Sequence, residues 1–377
     1  MQPSMAWQGK MPALTRRITA ADSIVGGLPL QRLCQFLRAL TLVALRTSGI
    51  VTYREAGGPE TPDQLPMEEW PMRVVKTTLQ AILLLGMIVA PCLAIAAEPT
   101  FKEGWFTTND GVKLHYLEAG SGSPLVMIPG WSQSAMEFKY QLTGLSDKYH
   151  VYALDMRGHG ESAKPNHGYR IQRLSADVHE FLVGNNLSGV TLAGHSMGCS
   201  VIWGYWEQYG SDRLSKLILV DQMPMITGNP AWSPKELEDA GAIFDGKSPF
   251  ENVNALAGPD GVKTTEGFIR GMFTKQYSAD AVNWVIQENL KFPREYAARL
   301  LFDHATNDWR DLIPRINIPT LVVGGKASLV PWKSQVWIGK QIKGAKTEIF
   351  EENEGGAHFM FMENPEKFNR LVNEFNG

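Results

Sequence analysis

Ser196 lies in Gly194-His195-Ser196-Met197-Gly198, a G-x-S-x-G pentapeptide. A serine hydroxyl becomes a useful nucleophile when a base takes its proton. Glycines two before and two after keep side chains away from it. That suits a serine held on a sharp turn from a strand into a helix. The chemistry to look for is acyl transfer. Its other parts are a base, an acid that orients the base, and two N–H groups aimed at the developing oxyanion.

Of the eight histidines, His358 fits the base best. It lies in Gly355-Gly356-Ala357-His358-Phe359, between the last apolar run and the last helical pattern. The chain order Ser196 then His358 is the one such turns use. The other histidines have plainer readings. His195 flanks the nucleophile with its side chain pointing elsewhere. His115 reads as a packed strand residue. His159, in Arg157-Gly158-His159-Gly160, reads as a structural turn residue beside Asp155 and Ser162. His304 falls in a helical region and could line a pocket. For the oxyanion, the N–H of Met197 stands at the helix start, and that of Trp131 follows Pro129-Gly130. The Trp131 side chain could also wall a pocket.

These residues need a scaffold. Short apolar runs recur at Lys113–Leu117, Pro124–Ile128, Val151–Leu154, Val190–Ala193, Leu217–Val220, Leu321–Val323 and Thr347–Phe350. Helical patterns at Leu174–Leu182, Val201–Tyr209, Ser334–Ile342 and Pro365–Phe375 separate most of them. The alternation predicts an α/β fold with a doubly wound, mostly parallel sheet. Ligands of such sheets bind beyond the carboxyl ends of the strands, where Ser196 falls. Between Asp221 and Ile318 no convincing strand occurs. Helical stretches at Pro234–Phe244, Glu266–Phe273 and Ala279–Leu290 carry many aromatics there, and read as a lid over an apolar pocket.

The chain's 377 residues are 44% hydrophobic and 20% charged, a globular composition. The net charge of -3 gives no support for nucleic-acid binding. Charge is uneven: residues 1–50 carry six Lys/Arg and one Asp, whereas residues 98–377 carry 27 Lys/Arg and 33 Asp/Glu. Residues 72–96 have the anatomy of a secretory signal peptide. Arg73 and Lys76 precede an apolar run from Leu79 to Val89, Pro91 breaks it, and Ala94-Ile95-Ala96 offers a cleavage site. The alternative is a membrane anchor, since Leu79 to Ala97 could just span a bilayer. The expected location is periplasmic or secreted, or else membrane-anchored through 79–97. Residues 1–71 read as an extension, either untranslated upstream sequence or a targeting segment with an amphipathic helix at 28–47 and a Pro/Gly linker at 56–71. Cys34, Cys92 and Cys199 are too few and scattered for a disulfide framework or a zinc site.

Residues 101–377 resemble an α/β-hydrolase with a cap domain. The resemblance rests on Ile128-Pro129-Gly130-Trp131, Asp155-Met156-Arg157-Gly158-His159-Gly160-Glu161-Ser162, the Gly-His-Ser-Met-Gly turn and the late Gly-Gly-Ala-His. It implies an eight-stranded, mainly parallel sheet in a 97–377 domain, with a helical cap at about 225–313. It also implies a Ser-His-acid triad acting through an acyl-enzyme, with no cofactor and no metal.

One position departs from the pattern. The acid usually follows the strand at 320–324, but that loop reads Gly325-Lys326-Ala327-Ser328-Leu329-Val330-Pro331, with Ser328 at the aspartate's place. Some family members place the acid after the preceding core strand, where Asp221 stands here. Asp221 is the candidate acid, although an aspartate there is also a common structural residue. Asp303 and Asp308 are lesser alternatives that could instead fix the lid, and a dyad lacking an acid is the remaining one. Serine at the turn points to a carboxylic ester or lactone of a small to medium hydrophobic molecule. The alternatives are a cofactor-free perhydrolase of the haloperoxidase type, a carbon–carbon bond hydrolase, or a non-catalytic ligand binder.

Overall fold

The computed structural model describes residues 101–377. The extension at 1–71 and the signal peptide or anchor at 72–96 lie outside the described residues, as does the location inferred from them. No helix among the described residues is long and apolar enough to cross a membrane.

Eight strands form one sheet: β1 Lys102–Thr107, β2 Lys113–Ala119, β3 Ser123–Ile128, β4 Tyr149–Leu154, β5 Val190–His195, β6 Leu214–Val220, β7 Thr320–Gly325 and β8 Lys346–Phe350. Their order is β1-β2-β4-β3-β5-β6-β7-β8. The β1/β2 and β2/β4 pairs are antiparallel, and every later pair is parallel. Each predicted run is a strand. The eighth, β1, escaped prediction because it is an edge strand of exposed and half-buried residues with little apolar signal.

The helices flanking the sheet are α1 Lys139–Gly144, α2 Ile171–Gly184 and α3 Met197–Tyr209, with α9 Trp332–Gln341, α10 Met360–Glu363 and α11 Pro365–Asn376 later in the chain. Central strands are sealed on both faces, so β5 is buried along its whole length. One face packs Val126, Leu192 and Leu219 against Leu174, Val178, Trp203 and Ile338. The other packs Leu125, Ala193 and Ile218 with Phe138, Leu142, Phe361 and Phe368. Burying each such Leu, Ile or Phe contributes roughly 1.5–3 kcal/mol.

The register brings the chemistry together. Ile128 pairs with Gly194, His195 with Val220, and Val220 with Val323. The carboxyl ends of β3, β5, β6 and β7 are therefore neighbours, and the loops after them meet above the sheet.

Between β6 and β7 come five helices: α4 Pro234–Ala240, α5 Ser248–Ala257, α6 Gly261–Arg270, α7 Ala279–Leu290 and α8 Arg294–Thr306. The expected helix at Pro234–Phe244 ends early, because Gly241 adopts a left-handed φ of 65° after Ala240. The one expected at Glu266–Phe273 runs instead over Gly261–Arg270.

Candidate active site

Ser196 joins β5 to α3 with φ 54° and ψ −124°, outside the regions that L-residues favour. A side chain on Gly194 would stand 2.5 Å from the Gly198 backbone, and one on Gly198 would stand 2.4 Å from the Ile128 carbonyl oxygen. Both positions exclude a Cβ, which is why the pentapeptide needs its two glycines. The Ser196 N–H is held by the Val220 carbonyl at 2.8 Å.

Asp221 directly follows β6, fully buried and also at positive φ, 54°. Its N–H donates to the Val323 carbonyl at 2.8 Å. His358, only 1% exposed, donates Nδ1–H to Asp221 Oδ2 at 2.7 Å. With Nδ1 carrying the proton, Nε2 keeps its lone pair. Burial pushes the His358 imidazole down to about 3, which keeps it neutral, with a free lone pair, at neutral pH. Burial pushes the Asp221 carboxyl up, and the Ser328 hydroxyl opposes that by donating to the same Oδ2. Ser328 thus partners the carboxylate rather than replacing it. It is pinned in turn by the Val330 N–H at 3.1 Å. The other carboxylates considered lie elsewhere. Asp303 accepts the Ile171 N–H at 2.8 Å, tying α8 to α2. Asp308 pairs with Arg310 at the surface.

The loop after β3 has an unusual division of labour. Gly130 N–H goes to Gln133 Oε1 at 2.8 Å and Ser132 N–H to His159 Nε2 at 3.1 Å. Gln133 N–H goes to the Gly130 carbonyl, Ser134 N–H to Glu137 and Ala135 N–H to Asp155 Oδ1. Trp131 N–H is the exception, with no partner among the described residues. The Met197 N–H, at the start of α3, also has none there. The Trp131 indole N–H donates to the Ala297 carbonyl of α8 at 2.7 Å.

Ser196, His358 and the Trp131 ring line one cavity together with Gln133, Gln222, Met223 and residues of the insertion, among them Phe268, Met272, Leu301 and His304. The cavity is narrow, about 40 Å³. Its walls are mostly apolar and hold no Asp, Glu, Lys or Arg. A second, more open depression between Glu236, Asp239, Asp308, Arg310 and Trp337 lacks any nucleophile.

His115 and His159 brace the scaffold as expected, His115 through Asp155 at 2.8 Å and His159 through Ser132. Sequence reasoning missed a second brace. His195 donates Nε2–H to the His358 carbonyl at 2.8 Å, and its Nδ1 lies 2.9 Å from Gln133 Oε1. His195 therefore bonds to the His358 loop and packs beside the Trp131 loop at Gln133. Its position beside Ser196 is the signal that could have found it. Gln133 carries no comparable signal.

The sequence model of the Alpha/beta hydrolase family matches residues 125–371. A non-heme chloroperoxidase of Kitasatospora aureofaciens is 30% identical over 284 residues, covering 71% of this chain and 98% of that protein. An esterase from Exiguobacterium antarcticum superposes with a TM-score of 0.66 at 27% identity, over 72% of this chain and 99% of that one. A bromoperoxidase from Bacillus anthracis is similar in fold, with a TM-score of 0.67 at 24% identity over 73% and 99%.

Proposed function

The chain belongs to the alpha/beta hydrolase family, and from that premise we propose that it is a serine hydrolase cleaving an uncharged carboxylic ester or lactone. One observation carries the reading. Ser196 and His358, the latter paired with buried Asp221, border one mostly apolar cavity, beside two backbone N–H groups with no acceptor among the described residues.

In this reading Ser196 Oγ attacks the carbonyl carbon while His358 Nε2 takes its proton. Asp221 holds the ring and stabilises the imidazolium that forms. The Trp131 and Met197 N–H groups receive the oxyanion, and losing one such donor costs roughly 10²–10³ in rate. His358 then protonates the leaving alkoxide. Water, deprotonated by His358, attacks the acyl-serine and releases the acid. The similarity to a chloroperoxidase supports a second reading: hydrogen peroxide, deprotonated by His358, attacks the acyl-serine in place of water, the acyl group leaves as a peracid, and Ser196 recovers its hydroxyl.

The test needs no knowledge of the substrate. The purified full chain is treated with a fluorophosphonate, and the labelled residue is mapped by mass spectrometry. Labelling at Ser196, lost in His358→Ala, is expected. A folded chain that stays unlabelled refutes the reading. Comparing ester hydrolysis with peroxide-dependent halogenation then separates water from peroxide as acceptor.

A further inference from the structure

His304 stands on α8, in the wall of the Ser196 cavity. It is 3% exposed, and its Nδ1 has no hydrogen-bond partner among the described residues. A polar atom buried in this way is costly unless something satisfies it. Burial alone acts on its titration and pushes it down to about 3, so the ring is neutral at neutral pH. A neutral imidazole has one N–H. A bare buried lone pair is tolerated better than a bare buried N–H, so the proton belongs on Nε2. Nε2, unlike Nδ1, is not among the sealed atoms without a partner, and His304 lines the cavity. The neighbouring amides are partly committed: Gln133 Oε1 accepts the Gly130 N–H, and Gln222 Nε2 donates to the Met223 carbonyl. His304 thus presents a donor to a mostly apolar space that it shares with Gln133 and Gln222.

We propose that His304 is a specificity-determining residue whose Nε2–H donates to a second, uncharged oxygen on the acyl group of the substrate, a keto, ether or hydroxyl oxygen away from the scissile carbonyl. This rests on the reading of Ser196 as nucleophile. An acyl group stays in the cavity through both half-reactions, so a fixed contact to it acts in both. A carboxylate is a poor occupant, because no cation lines the walls to offset its desolvation.

The test compares p-nitrophenyl hexanoate with its 3-, 4- and 5-oxo derivatives on the full chain, on His304→Leu and on His304→Gln. The readout is the ratio of kcat/KM between each keto ester and the plain ester, which cancels any general loss. For at least one keto ester the ratio should fall about tenfold in His304→Leu, the loss expected for one buried hydrogen bond, and recover in part in His304→Gln, which keeps a donor. Ratios that ignore His304 at every keto position overturn the inference while leaving the hydrolase reading intact. A binding assay separates the two failures. On Ser196→Ala, calorimetry compares 2-heptanone with 2,5-heptanedione, with and without His304→Leu. If no ester is cleaved yet the dione is preferred in a His304-dependent way, the hydrolase reading fails and the inference stands. Absence of that preference in a chain that cleaves no ester overturns both.

Discussion

Replacing Asp221 by asparagine keeps the shape and removes the charge. Oδ2 of Asp221 receives two donors, His358 Nδ1–H at 2.7 Å and the Ser328 hydroxyl, whereas Oδ1 has no hydrogen-bond partner. An asparagine therefore has two poor choices. With its oxygen toward the donors, a buried NH₂ takes the empty position, at roughly 1–3 kcal/mol. With its NH₂ toward the donors, it donates to Nδ1, forces the proton onto Nε2, and leaves no lone pair for Ser196. In either case the imidazolium loses a charged partner worth about 1.5–3 kcal/mol. Adding the lost charge to the wrong tautomer or the stranded NH₂ gives roughly 3–5 kcal/mol, or about 10²–10⁴ in kcat at 1.4 kcal/mol per tenfold. The assay is single-turnover release of p-nitrophenol, with circular dichroism to confirm folding. The acid limb of kcat/KM should also move to lower pH, because the carboxylate favoured the protonated ring. A folded Asp221→Asn chain within threefold of the native rate would refute the assignment of Asp221 as the acid.

Other consequences are sharper in combination. Ser328→Ala removes one donor from Oδ2 but leaves the charge, so kcat should fall only about threefold to tenfold; a loss as large as that of Asp221→Asn would make Ser328 a full partner of the base. Gln133→Ala frees the Gly130 N–H and removes the side chain packed against His195, and should lower kcat about tenfold to a hundredfold, measured by steady-state kinetics. Stability should depend on pH through His304 and His358, which burial holds at about 3 in the folded state. The unfolded chain binds their protons first, near pH 6.5, so stability is fully present above that value and is lost as pH falls toward 3. His304→Leu should therefore flatten urea-derived stability by about 1.4 kcal/mol per pH unit between pH 5.5 and 4. An unchanged slope there would mean that His304 is accessible to protons in the folded chain.

The sheet and the sharp turn at Ser196 were legible because both are written in local sequence. Seven apolar runs with turn residues after them announce strands, and a glycine pair around Ser196 announces the turn. The pairing of Asp221 with His358 was foreseeable from Ser328 at the usual aspartate place and from the alternative position in related proteins, yet the reason for Ser328 was not. Its hydroxyl matters through a contact with a residue far away in sequence, and no local pattern records that. The same holds for Gln133 and His195, whose partners come from separate loops. The insertion's fourth helix, α7, matches the expected Ala279–Leu290, whereas the third, α6, starts five residues earlier than expected. Its second, α5, begins at Ser248-Pro249 and buries only Pro249 and Leu256, too weak a stripe to stand out.

The insertion does more than roof the cavity, because its bonds converge on the Trp131 loop. Ala297 takes the Trp131 indole N–H, and Asn289 O takes the Ser132 hydroxyl at 2.7 Å. Arg294 Nη2 donates to Ser132 Oγ at 2.7 Å, and the Ser134 hydroxyl donates to Glu288 Oε2 at 2.7 Å. Ser132 itself sits at φ 64°, a conformation that needs such support. The backbone that leaves Trp131 N–H free is thus held from above by α7 and α8 and from below by His159 and Asp155. Met272 of the insertion also accepts the His358 N–H at 3.0 Å. A change in α8 that never touches the cavity should therefore reach the chemistry. Arg294→Leu removes the guanidinium bonds to Ser132 and to the Asn289 carbonyl. It should lower kcat about tenfold while His304-dependent selectivity persists. Loss of selectivity with kcat intact would show instead that the insertion shapes the pocket and leaves the Trp131 loop to stand alone.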